Sequence, residues 1–155
     1  MRSDLTDLYT SPEYANMFRG VGGTLDNLIV QNNYCAGDGG GGIKMYGGSL
    51  SNSIVSNNST GGTSASGGGI LALEGSVTIQ NVIVLDNFSS MHGGGVFINN
   101  SDVNISNSSI SDNSASDSGG GIWIEAGSEL TISNAIIHDN SAVGGDGGAV
   151  GADAV

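Results

Sequence analysis

Five copies of one asparagine pair, always six residues apart, constrain this chain more than any other feature. The segments LDNLIVQNN, LSNSIVSNN, IQNVIVLDN, ISNSSISDN and ISNAIIHDN align without gaps. Their first asparagines are Asn27, Asn52, Asn81, Asn107 and Asn134, and their second are Asn33, Asn58, Asn87, Asn113 and Asn140. A glycine cluster keeps the same period. GGGIKM, GGGILA, GGGVFI, GGGIWI and GGAVGA place their first apolar residues at Ile43, Ile70, Val96, Ile122 and Val150, spaced by 27, 26, 26 and 28 residues. A unit of this length cannot bury its own apolar side chains, so successive units must stack.

Each period holds three short strand-like runs bounded by Gly, Asn and Ser. In the last full copy they are Gly121 to Ile124, Glu129 to Ser133 and Ala135 to His138. Between them lie Glu125 to Ser128, a corner at Asn134, and a loop from Asn140 to Asp146. Coils stacked at the inter-strand spacing of about 4.8 Å would make five coils a rod of roughly 24 Å. The two-residue strand period then sorts the columns. Expected inside are Leu28, Ser53, Val82, Ser108 and Ala135, with Val30, Val55, Val84, Ile110 and Ile137. A second inward set is Leu50, Val77, Ile79, Val103, Ile105, Leu130 and Ile132, and a third is Ile43, Met45, Ile70, Val96, Ile98, Ile122 and Ile124. Both asparagine columns are expected to be structural ladders: asparagine tolerates left-handed backbone, and its amide can bond to the copy in the next coil. The glycine pairs are each followed by a strand rather than a helix, which rules out a phosphate-cradling loop.

Fifteen acidic residues face three cations, Arg2, Arg19 and Lys44, giving a net charge of −12. Nucleic-acid binding needs cations to neutralise phosphates, so it is excluded as a function class, and anionic membranes are disfavoured likewise. Cys35 is the lone cysteine, so neither an intrachain disulfide nor a cysteine-cluster metal site is available. No apolar stretch is long enough for a spanning helix, so direct membrane insertion is not expected. Met1 to Gly20 lacks the apolar run of a signal peptide.

Residues 1–20 fall outside the repeat and read as an N-terminal cap segment, with residues 21–155 as the repeats. Ser11, Pro12 and Glu13 supply an N-cap, a first-turn proline and an early acid. A short helix from Pro12 to Arg19 would set Tyr14, Met17 and Phe18 over the first coil. Gly147 to Val150 opens a further coil, so the repeats read as a fragment continuing past the C-terminus, with end-to-end self-association expected of the raw edge.

Gly147-Gly148-Ala149-Val150 fits the pattern GGA[ILV], and the other copies carry a third glycine in place of the alanine. Val30, Val55, Val84, Ile110 and Ile137 each have an asparagine three residues later, a form of FxxN with a β-branched residue for phenylalanine. Over residues 22 to 150 the chain resembles the repeats of chlamydial polymorphic outer-membrane proteins, within the pectate-lyase-like group. That resemblance implies a right-handed parallel β-helix, and the repeats themselves read as an all-β solenoid with three short strands per coil and about five coils, the short capping helix in front. It also implies an adhesin-like autotransporter passenger, secreted or displayed at the extracellular or outer-membrane surface, with a glycan or cell-surface protein as partner.

Two columns are candidate sites. Lys44, Leu71, Phe97 and Trp123 share the outward position of the glycine strand, and Leu71, Phe97 and Trp123 are expected to form an exposed apolar stripe for a sugar or protein. Asp86, Asp112 and Asp139 share the position before the second asparagine column, with His138 expected nearby on the other side of the strand. Stacked acids of this kind suit a row of solvated turn residues, and alternatively a calcium site or the carboxylate pair of a polysaccharide-active enzyme. A lyase of this fold needs a basic residue, and the repeats hold Lys44 alone. The expectation is therefore a non-enzymatic scaffold with no cofactor, and the alternative is a polysaccharide lyase, glycosidase or calcium-binding β-helix built on the aspartate column.

Overall fold

The computed structural model describes residues 3–4, 19–37 and 39–153. Every strand pair is parallel, and the strands form three sheets. The long sheet takes Arg19–Val21 and Thr24–Asp26, then Ile43–Ser51, Ile70–Gln80 and Val96–Ser106. It continues through Ile122–Ile124 with Glu129–Ser133 and ends at Val150–Ala152. The middle sheet stacks Ser3–Asp4, Leu28–Gln31, Ile54–Ser56, Ile83–Leu85, Ser109–Ser111 and Ile136–His138. The short sheet stacks Tyr34–Cys35, Ser59–Thr60, Phe88–Ser89, Ser114–Ala115 and Ser141–Ala142. The chain passes once through each sheet per coil, which makes a β-solenoid of about five turns. Its register pairs Ile43 with Ile70, Ile70 with Val96, Val96 with Ile122 and Ile122 with Val150, as the glycine clusters align them.

Three strands per coil is the observed number, but their identity differs from the sequence reading. The glycine strand and its successor are not separate in the central coils. They run as one strand, Val96–Ser106 for example, bent where Glu74, Gly75 and Asn100 adopt positive φ. In the last full coil Glu125 to Ser128 breaks the strand with a turn, closed by the Ser128 N–H to the Glu125 carbonyl. The third strand, Ser141–Ala142 in that coil, lies inside the stretch expected to be loop. The expected capping helix from Pro12 falls outside the described residues, and Arg19, its expected last residue, opens a strand.

The inward columns form one continuous core, with Ile43, Ile70, Val96 and Ile122 fully buried in one row and Val30, Val55, Val84 and Ile110 in another. Ala72 and Leu25 also pack there. The inward serines are satisfied: Ser53 Oγ accepts the Leu28 N–H and donates to the Ser51 carbonyl, and Ser108 Oγ repeats this with Val82 and Ser106. Ile132, expected inside, is 39% exposed. Its strand Glu129–Ser133 has a described neighbour on one side only, Val96–Ser106, so nothing described covers its far face. The glycines answer to space as well as to torsion. A Cβ on Gly94 would overlap the carbonyl oxygens of Ser114 and Gly120.

The two asparagine columns do different work. Asn27, Asn52, Asn81, Asn107 and Asn134 all hold φ between 49° and 58°, the left-handed corner from the long sheet to the middle sheet. This column is not the ladder the sequence suggested. Asn81 Nδ2 donates to Asn52 Oδ1 at 3.2 Å, but Asn52 turns its own amide to Asp26, and Asn107 and Asn134 are exposed. An exposed left-handed corner needs the backbone tolerance of asparagine and not its amide.

The second column is a ladder in full. Asn58 Oδ1 accepts the backbone N–H of Asn33 at 3.1 Å and its Nδ2 at 2.8 Å. The same pair of bonds joins Asn58 to Asn87, Asn87 to Asn113 and Asn113 to Asn140. The remaining Nδ2 hydrogens of Asn58, Asn87, Asn113 and Asn140 bond the carbonyls of Val30, Val55, Val84 and Ile110. Each interior amide thus accepts two bonds and donates two, its whole capacity. Replacing Asn87 by alanine would leave the buried N–H and one Nδ2 hydrogen of Asn58 without an acceptor. Chemical denaturation is expected to show a loss of at least about 3 kcal/mol for Asn87→Ala. Asn107→Gly, at the exposed corner, should change stability by about 0.5 kcal/mol or less. Equal losses at both sites would contradict this division of roles.

Candidate functional site

The outward column of the glycine strand stacks as its spacing implies: Lys44 pairs with Leu71, Leu71 with Phe97, and Phe97 with Trp123. Leu71, Phe97 and Trp123 form an apolar cluster of their own, with Leu73 against it, separate from the interior core. They are not, however, an exposed stripe. Leu71, Phe97 and Trp123 are 3%, 5% and 7% exposed. The cause is the loop that returns from the short sheet to the long one. His92 lays its ring parallel to Trp123 at 5.0 Å between centroids and to Phe97 at 6.4 Å. On the other side, Gly151 pairs with Trp123, and a Cβ there would overlap the indole. Strand alternation fixes which side a residue points to, and a loop decides whether that side meets water.

The covering loops are themselves stacked from coil to coil. Ser90 Oγ donates to the Gly62 carbonyl at 2.6 Å, and the Asp117 N–H to the Met91 carbonyl at 3.0 Å. Ser89 Oγ donates to the His92 carbonyl, and the Asp117 carboxylate stands 3.8 Å from His92 Nε2. His92 is thereby held over the apolar column from its backbone and from its ring.

A groove of about 360 Å³ remains between these loops and the long sheet. Leu71, Leu73 and Phe97 floor it, and Ser64, Ser66, Met91 and His92 form one wall. Lys44, Asn99 and Glu125 supply its remaining polar groups. Lys44 and Glu125 lie three coils apart, about 14 Å at the inter-strand spacing, so the groove has a cationic end and a carboxyl end. Loss of solvent holds the Glu125 carboxyl above its ordinary range, the Asp153 charge adds to this, and His92 opposes it. A second, shallower hollow of about 310 Å³ lies outside the same sheet, among Thr78, Asp102, Asn104, Glu129 and Thr131. It is polar throughout except for backbone-flanked valines.

Asp86, Asp112 and Asp139 are exposed, and each adopts φ between 53° and 55°. They continue the column of Asn32 and Asn57, whose φ values are 59° and 54°. Left-handed turn chemistry accounts for acids and amides alike at that position. His138 lies beside this column, with Nδ1 2.8 Å from Asp139 Oδ2. Among the described residues no three His, Cys, Asp or Glu side chains converge as metal ligands would. No helix among them is long and apolar enough to cross a membrane.

Sequence reasoning passed over the apolar residues that do meet water. Ile83 and Ile136 are 44% and 64% exposed on the outer face of the middle sheet. Their column also holds Ile29 and Ile54, each half-buried, with Ser109 interrupting it. The signal was available, since residues between two inward columns must point outward.

Parallel pairing throughout, three sheets and stacked asparagine corners define a β-solenoid. Residues 17–152 match the family described as the right-handed β-helix region, and the chain belongs to that family, which also sets the hand of the coil. No curated protein and no solved structure matches the chain.

The burial of the outward column has a direct consequence. Trp123→Ala is expected to destabilise the protein by about 3–5 kcal/mol, the cost of emptying a buried aromatic site, as measured by urea denaturation. A loss below about 0.5 kcal/mol, typical of a surface substitution, would show the ring to be in solvent.

Proposed function

We propose that this chain is a non-enzymatic β-helix scaffold of the adhesin or autotransporter-passenger kind. It works at the extracellular or outer-membrane surface and binds a glycan in the groove beside the long sheet. The observation that carries the reading is the mixed lining of that groove. Leu73 and Met91, both partly exposed, offer apolar surface for the C–H faces of a sugar, and Asn99, Ser64, Ser66 and Glu125 offer hydrogen-bonding groups at its edge. The groove is built from loops fixed on a rigid stack, the usual arrangement for recognition.

The resemblance to chlamydial polymorphic outer-membrane protein repeats supports the surface assignment. In its second motif the first position, Val30 to Ile137, is the inward core row, and the asparagine three residues on is the buried ladder. The spacing therefore has a physical role that such repeats would share. Net charge of −12 fits a soluble displayed rod, because like charge discourages stacking of its sheet edges on other copies.

A glycan-array screen of the chain, with Asn99→Ala alongside, tests the proposal. Wild type should bind a limited set of glycans, and Asn99→Ala should weaken that binding about tenfold, the worth of one lost buried hydrogen bond, with its melting temperature unchanged. No binding by wild type, or binding untouched in the variant, would overturn the groove as the site.

A further inference from the structure

Lys44 is one of three cations in the chain, facing fifteen acids, yet it is 8% exposed. The ion pairs among the described residues are His92 with Asp117 and His138 with Asp139, so none of the described acids is set against it. Its ammonium stands 5.9 Å from the Tyr46 ring centroid, within cation–π range. The backbone register also places Arg19 opposite Lys44 in the neighbouring strand.

A cation that lines a cavity, with none of the described acids paired to it, is placed to take a counter-ion. We propose that Lys44 anchors a carboxylate carried by the groove's ligand, so that the ligand is acidic and not neutral. The inference rests on the groove being the glycan site and adds the charge and the orientation of what binds there. The carboxylate sits at the Lys44 end, beside the hydroxyls of Ser64 and Ser66. The neutral, hydroxyl-bearing part lies over Leu73 and Met91 toward Asn99 and Glu125. Glu125 and, next to it, Asp153 make the far end acidic, which disfavours a second anion there and fixes one direction of binding. Among the described residues the remaining titratable group facing the groove is His92, which Asp117 pairs from outside.

The test is a heteronuclear NMR titration of the full chain with glucuronate and with glucose, in wild type and in Lys44→Met. The methionine keeps the length of the stem and removes the charge, and thermal melting of the variant checks that it is folded. Glucuronate is expected to shift the resonances of Leu71, Phe97 and Asn99 with at least tenfold higher affinity than glucose. Lys44→Met should bring the two sugars to equal affinity. Equal affinity in wild type, or a preference that survives in the variant, overturns the role of Lys44 and leaves the groove reading standing. If neither sugar shifts groove resonances in wild type, the groove reading fails and this inference fails with it.

Discussion

At the corner between the middle and short sheets the chain turns through a left-handed residue and then buries its next side chain. In the third coil these are Asp86 and Asn87, between Ile83–Leu85 and Phe88–Ser89. Backbone groups at such a corner cannot all pair as they do along a strand, and although the left-handed residue is exposed, the asparagine after it lies away from water. The asparagine amide resolves this, because a side chain with two donors and two acceptor sites can take the N–H of the coil before and reach the carbonyl of a core valine. Neither aspartate, which cannot donate when ionised, nor serine, with one donor, could fill all four bonds. The continuity of the core depends on this corner, since it sets where each coil begins its return to the long sheet.

The repeat length, the register and the inward columns were legible because they depend on spacing, and every coil restates the spacing. What each asparagine does was less legible, because one residue type serves two positions. The discriminating signal lies one residue away. The left-handed position before the ladder accepts aspartate at 86, 112 and 139, whereas the ladder itself carries asparagine in all five coils. A position that needs only backbone tolerance can take either residue, and one that must both donate and accept cannot; the first column, asparagine in all five coils, is not told apart from the ladder by this signal. The short sheet was invisible for a different reason: strands of two residues, such as Ser114–Ala115, have no alternation to read.

The apolar column of Leu71, Phe97 and Trp123 shows where pattern reading stops. Alternation placed these residues on the outer face, and they are there, but cover is supplied by a loop whose course no periodicity encodes. The position of His92, directly before the glycines, holds Ser66, Ser118 and Asp146 in other coils, so nothing in the repeat marks it as the residue that lies over Trp123. The same loops leave the groove beside them, with Lys44 at one end and Glu125 at the other. Rigid coils thus define where the loops leave and re-enter, and the residues that vary between coils define the chemistry. The sequence carried the floor of the candidate site in its repeat, and its walls only in the departures from it.

The central claim is that the buried amide ladder, and not asparagine in general, holds the coils in register. Hydrogen exchange of side-chain amide protons tests this most directly, since each Nδ2 reports its own bonding. The Nδ2 protons of Asn58, Asn87 and Asn113 should exchange orders of magnitude more slowly than those of Asn57 and Asn107 at the exposed left-handed corners. Comparable, rapid exchange at all five would mean the ladder amides are open to water, and the account of the corner would be wrong.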